Sequence, residues 1–156
     1  MVKANDVAAY ILHRRGPMTA MKLQKLVYYS QAWHLVWEER PLFDEPIQAW
    51  ANGPVVPELY ARHRGKFRLN AEDALGGDRT VLDEAERGSV EAVLDAYADR
   101  SAHWLSELTH REAPWREARS RARLGDGERG SAVIEHAAMH EYYDGLTGAD
   151  ADAEDV

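Results

Sequence analysis

Apolar residues recur at helical intervals along most of this chain, and strand-like alternation is confined to one short stretch. Residues 3–14 place Val7, Ala8, Ile11 and Leu12 on one stripe, which predicts a first helix stopped by Gly16-Pro17. Thr19 is then positioned to N-cap a longer helix through about Trp37. Its apolar residues, from Met21, Leu23 and Leu26 to Trp33, Leu35 and Trp37, cover more than one face. That coverage predicts a central, largely buried element.

Pro41, Pro46, Pro54 and Pro57 exclude helix from 41–57. Within this stretch Ile47-Gln48-Ala49-Trp50 alternates, Asn52-Gly53 is a tight-turn pair, and Val55-Val56 can return along the first run. The expectation is a small β-hairpin or extended segment near residues 42–57, with strand pairing confined there. Pro57 suits the first turn of a short helix through about Arg62, and the polar, glycine-dotted stretch 65–82 reads as a loop or weakly ordered insert. Asp83 and Glu86 have capping-box spacing, Ser101 can cap a further helix, and Ala113-Pro114-Trp115 opens another. Ser131 is placed to cap the last helix, with Ile134, Ala138 and Tyr142 on its stripe. The predicted fold is mainly α: one compact helical domain over residues 1–145, followed by an acidic, disordered tail at 146–156.

Composition narrows the chemistry. The chain of 156 residues contains no Cys, which excludes disulfides, thiolate metal sites and thiol catalysis. The N-terminal region lacks an apolar run long enough for a signal or membrane segment, and the expected location is cytoplasmic. Of the formal net charge of −8, the six acidic residues of 141–156 carry −6, leaving a nearly balanced body. Charge alone therefore gives no indication of nucleic-acid binding.

Four constellations bear on function. Gly125-Asp-Gly-Glu-Arg-Gly130 has the spacing of a dinucleotide fingerprint, but it follows an Arg-rich helical stretch rather than a strand, and Asp126 and Glu128 would repel phosphate. His136 and His140 could face one metal, yet a third ligand would have to come from elsewhere, with His103 or His110 the available choices. His110 and Glu112 lie two apart and could do acid–base chemistry, but nothing recognisable supplies a nucleophile or an oxyanion hole. The basic clusters 62–68 and 116–123 could track phosphates, and helix–turn–helix order near the N-terminus suggests a DNA reader. A recognition helix needs a polar face, however, and the second helix is apolar nearly all round. No catalytic residue, cofactor or metal is assigned.

Several motifs then occur together. Leu23-Gln-Lys-Leu-Val-Tyr-Tyr29 leads to Trp33-His34, followed by Pro41-Leu-Phe43, Ala49-Trp50, Gly53-Pro-Val-Val-Pro57, Tyr60 and Leu108-Thr-His-Arg-Glu-Ala-Pro-Trp115. In this order they resemble the SocA-like antitoxin, or Panacea-domain, family over roughly residues 3–143. Asn52 departs from the aromatic or basic residue expected at its place. The resemblance implies a non-enzymatic antitoxin that neutralises a cognate toxin, encoded by an adjacent gene, through direct protein contact. One branch of the family looks like a protease adaptor, so a protease is a second implied partner. A DNA-binding autoregulator and a small metal-dependent hydrolase are the alternatives. Trp50, Gly53, Pro54, Glu58 and Tyr60 are the candidate partner-binding residues, since aromatics beside a rigid turn lower the ordering cost of an interface. Trp33, His34, His110, Pro114 and Trp115 carry family motifs and can equally serve the packed core.

Overall fold

The computed structural model describes residues 1–147 with their side chains and the backbone as far as residue 154. Helices α1 (Ala4–Arg15) and α2 (Ala20–Glu38) are joined through strand β1 (Met18–Thr19). A hairpin of β2 (Gln48–Trp50) and β3 (Gly53–Val55) leads into α3 (Pro57–His63), and β4 (Arg68–Leu69) follows. The chain closes with α4 (Glu84–Tyr97), α5 (Ala102–Arg111), α6 (Ala113–Arg121) and α7 (His136–Glu154).

Helix α2 is the axis of the fold, packed against α1, α4, α5 and α7. Its apolar residues Leu23, Leu26, Val27, Tyr29 and Ala32 are wholly buried, as an all-round apolar helix requires. The predicted caps are present: Thr19 Oγ1 accepts from Lys22 N, Asp83 and Glu86 form a reciprocal capping box, and Ser101 Oγ accepts from Trp104 N. Each satisfies amides that the first helical turn leaves without partners.

Buried polar side chains on α2 also read the backbone of the connecting segments. Gln31 accepts from Leu42 N at 2.7 Å and donates to Phe43 O at 2.6 Å, fixing the segment after α2. One turn pair earlier, Gln24 accepts from Val56 N at 2.9 Å at the start of α3. Backbone groups in loops this deep need such partners.

Strand pairing is not confined to 42–57. Arg68–Leu69 pairs antiparallel with Met18–Thr19, and Leu69, Leu75 and Leu82 plug the supposedly loose 65–82 stretch into the core. Nor does Ser131 cap the last helix, which begins at His136. Residues 132–134 instead run beside β2: Ala49 N donates to Ala132 O at 2.7 Å, and Ile134 N donates to Ile47 O at 2.8 Å. The free edge of β2 offered main-chain partners that outweighed an early helix start. Most of the expected tail, 146–156, lies outside the described side chains.

Candidate partner-binding site at the hairpin

The turn between β2 and β3 is held from two sides. On one side, the carbonyl oxygens of Ala49, Trp50 and Asn52 accept donors from α5 and α6, and the His110 ring lies against Ala51. Arg119 Nη1 donates to Ala49 O at 2.9 Å, and Trp115 Nε1 to Trp50 O at 2.8 Å. His110 Nε2 lies 3.2 Å from Ala51 O, and Ser106 Oγ donates to Asn52 O at 2.9 Å. Pro114 near the start of α6 and the Ser101 cap of α5 set the two helices that carry these donors.

Helix α2 supports the other side. Gly53 has φ +126°, and a Cβ there would come 2.6 Å from Lys25 Cε, so glycine is required on both conformational and steric grounds. Lys25 is only 1% exposed, and burial pushes its ammonium down to about 8. Among the described residues it makes no ion pair. Gln24 Nε2 also contacts His63 Nε2 at 3.0 Å, and burial lowers the His63 imidazole, keeping it neutral.

The fixed turn presents aromatic surface. Trp50 and Tyr60 are half-buried and meet edge to face with centroids 5.0 Å apart, while Trp50 Nε1 donates to Gln48 Oε1 at 2.8 Å. With Met21 and Val55 they line a cleft of about 470 Å³ that also takes in Asn52 and Arg129. Met21 is 37% exposed, so apolar surface continues beyond the cleft.

The predicted site residues therefore divide. Trp50 and Tyr60 share the cleft. Gly53 and Pro54 are buried and shape the turn, and Glu58 is exposed on α3 beside a separate depression with Lys3 and Glu45. His110, Pro114 and Trp115 belong to the brace. Trp33 donates to Tyr97 OH at 3.0 Å and stacks on Trp37. His34 is buried with Nδ1 2.7 Å from Ser89 Oγ, and burial followed by the Arg40 charge lowers its pKa.

His110 and Glu112 do not pair: the imidazole faces carbonyl oxygens, whereas Glu112 Oε1 accepts from Tyr29 OH at 2.6 Å and Tyr143 OH at 2.9 Å. Burial holds the Glu112 carboxyl above the usual carboxylate range despite those two donors. In the Gly125–Gly130 loop, the Gly125 amide donates to Glu128 Oε2 at 2.7 Å, so the carboxylate occupies an amide that a phosphate would need. Arg119 donates to Gly125 O and Glu128 O and ties the same loop down. Among the described residues no group of three or more His, Asp or Glu side chains could hold a metal, and His136 and His140 stand outside any such cluster. Helix α2 is too buried to enter a DNA groove.

Comparison with known proteins agrees with the motif order. The family described as Antitoxin SocA-like, Panacea domain, matches residues 23–116. Antitoxin SocA of Caulobacter vibrioides (strain NA1000 / CB15N) is 30% identical over 129 residues, covering 73% of this chain and 69% of that protein.

The chain belongs to the SocA-like antitoxin family.

The matched Panacea segment contains most of α2, the hairpin, α5 and the start of α6, and so the turn with its Ser106 and Trp115 braces, while Arg119 lies just beyond it. No solved structure matches. Among the described residues no helix is long and apolar enough to cross a membrane. The sequence reading gave no bracing or buried role to Gln24, Lys25, Gln31 or Ser106, and it placed Glu112 in an acid–base pair and Arg119 in a phosphate-tracking cluster rather than where the fold puts them. The only signal for the first four was polarity inside or beside elements already expected to be buried.

Proposed function

We propose that this protein is an antitoxin that neutralises a toxin by direct, non-catalytic binding, with the Trp50–Tyr60 cleft as the contact face. The observation that carries this reading is the clamping of the Ala49, Trp50 and Asn52 carbonyls by Arg119, Trp115 and Ser106. A turn fixed before binding loses little entropy on binding, so the area buried by Trp50 and Tyr60 converts efficiently into affinity. Tryptophan and tyrosine half-exposed beside such a turn are the residue types that dominate interface energetics. The toxin is the product of a neighbouring gene, and the complex forms in the cytoplasm without nucleic acid, metal or cofactor.

Co-expression with the neighbouring gene product tests this reading. The expected result is a stable complex and stoichiometric titration of the toxin's activity. Trp50→Ala keeps the fold, since the clamp acts on its carbonyl, but weakens the complex by about 2–4 kcal/mol. Absence of both complex and rescue with the native protein would refute the assignment.

A further inference from the structure

A second concavity lies on the far side of residues 129–133. Arg129 and Ser131 line the Trp50 cleft, whereas Ala132 and Val133 line a groove of about 890 Å³ between α6 and α7. Its floor includes Ala118, Ala122 and Ala138, small enough for close backbone approach. Two large apolar residues stand exposed along it, Val133 at 43% and Leu146 at 37%. Both contribute to the groove lining and add open apolar surface to its alanine floor.

The dimensions and charge of the groove identify its occupant. It follows α6 from Ala113 to Ala122 and α7 from Ala137 to Leu146. Each run rises about 13 Å, which matches the roughly 10 Å between positions i and i+7 of a docked helix. The charged residues of its lining are Glu117, Glu135 and Glu141 against Arg121 alone, giving the rim an acidic excess. Glu117 and Glu141 are exposed on opposite helices; Arg121 offsets Glu117 on the α6 wall, so the acidic excess lies with Glu135 and Glu141 on the α7 side.

We infer that the α6–α7 groove binds an amphipathic helix of a protein partner, with apolar residues at i, i+3 or i+4 and i+7 seated on the alanine floor and lysine or arginine flanking them. The surface is separate from the Trp50 cleft and extends the interaction area past the 129–133 segment. Its existence does not depend on the partner being a toxin, so it stands or falls apart from the functional reading above.

The probe is a synthetic, fluorescein-labelled peptide of about 18 residues with a leucine stripe and flanking lysines, long enough to populate helix. A scrambled peptide of identical composition controls for simple attraction to an acidic protein. By anisotropy, the amphipathic peptide should bind in the micromolar range, and the scramble about tenfold more weakly or worse. The double variant Glu117→Lys, Glu141→Lys changes two exposed side chains and should weaken binding by about tenfold. Ala138→Trp should fill the groove and weaken it similarly, with its folding checked by circular dichroism; should that variant unfold, the charge variant alone decides. Trp50→Ala should bind the peptide unchanged. Equal binding of the scramble, indifference to the charge variant, loss of binding in Trp50→Ala, or no binding by the amphipathic peptide would each overturn the inference.

Discussion

The indole of Trp115 donates its Nε1–H to the backbone carbonyl of Trp50 at 2.8 Å, so one tryptophan holds the other by its main chain and leaves the second ring at the cleft. The two residues play different roles for this reason. Trp115 is 9% exposed and structural, whereas Trp50 is fixed in backbone and half-open in side chain.

Trp115→Phe should separate those roles. It keeps most of the buried ring but leaves the Trp50 carbonyl without its donor, at a cost of about 1–3 kcal/mol. Urea unfolding should show a lower midpoint at unchanged slope. Unchanged stability would mean that the carbonyl finds another partner and that the brace at this position is dispensable.

Gly53→Ala tests the opposite wall of the clamp. The substitution meets both the strained φ of +126° and the Lys25 side chain, and should cost about 1–3 kcal/mol from backbone strain alone. Introduced into Lys25→Ala and compared with that variant, the same substitution should keep only the backbone part of its cost, because the steric partner is gone while φ is unaltered. No cost in that comparison would show that φ carries none of it.

Lys25 predicts a specific pH dependence. Its folded value, about 8, lies below the ordinary 10.5, so the unfolded chain binds more protons between these values and stability rises with pH across that window. The penalty is fully present below pH 8 and is on the order of 3 kcal/mol there. Lys25→Met should therefore be more stable than the native protein at pH 7, with the difference shrinking toward pH 10. The comparison must be between the two proteins, because Tyr28, Tyr29 and Tyr143 have raised values and their contribution is lost with increasing alkalinity.

Glu112 predicts the reverse slope at acid pH. Its folded value is raised, so its contribution is fully present below the ordinary 4.5 and declines as pH rises through the folded value. Glu112→Gln keeps an oxygen for Tyr29 and Tyr143 without a buried charge, and should equal or exceed native stability at pH 7. Glu112→Ala removes the acceptor and should cost about 1–3 kcal/mol. Thermal melts from pH 4 to 8 distinguish them, and a destabilised Glu112→Gln would show that the charge itself is needed.

Helix boundaries were legible in the sequence where a local device marked them, except at Ser131, where pairing of 132–134 with β2 delays the last helix to His136. Thr19, the Asp83–Glu86 pair, Ser101, Pro57 and Pro114 act within a turn of their own position, so reading them needs no knowledge of the rest of the chain. The hairpin was legible for the same reason, through the alternation before it and the Asn52-Gly53 signal, although the loop is Ala51-Asn52 and Gly53 already pairs with Trp50. The family was legible because its motifs occur in order. Tertiary structure decided where those motifs sit. The choice of brace for His110 and Trp115, and of cleft wall for Trp50 and Tyr60, depends on which side-chain donors reach carbonyls more than fifty positions away. The pairings of 68–69 with 18–19 and of 132–134 with β2 were equally hidden, since two- and three-residue strands are too short to show a period. Lys25 and Glu112 are the sharpest case. Residue type alone does not mark either charge as buried; the packing around α2 closes over both, and only the assembled core sets the cost of burying each charge.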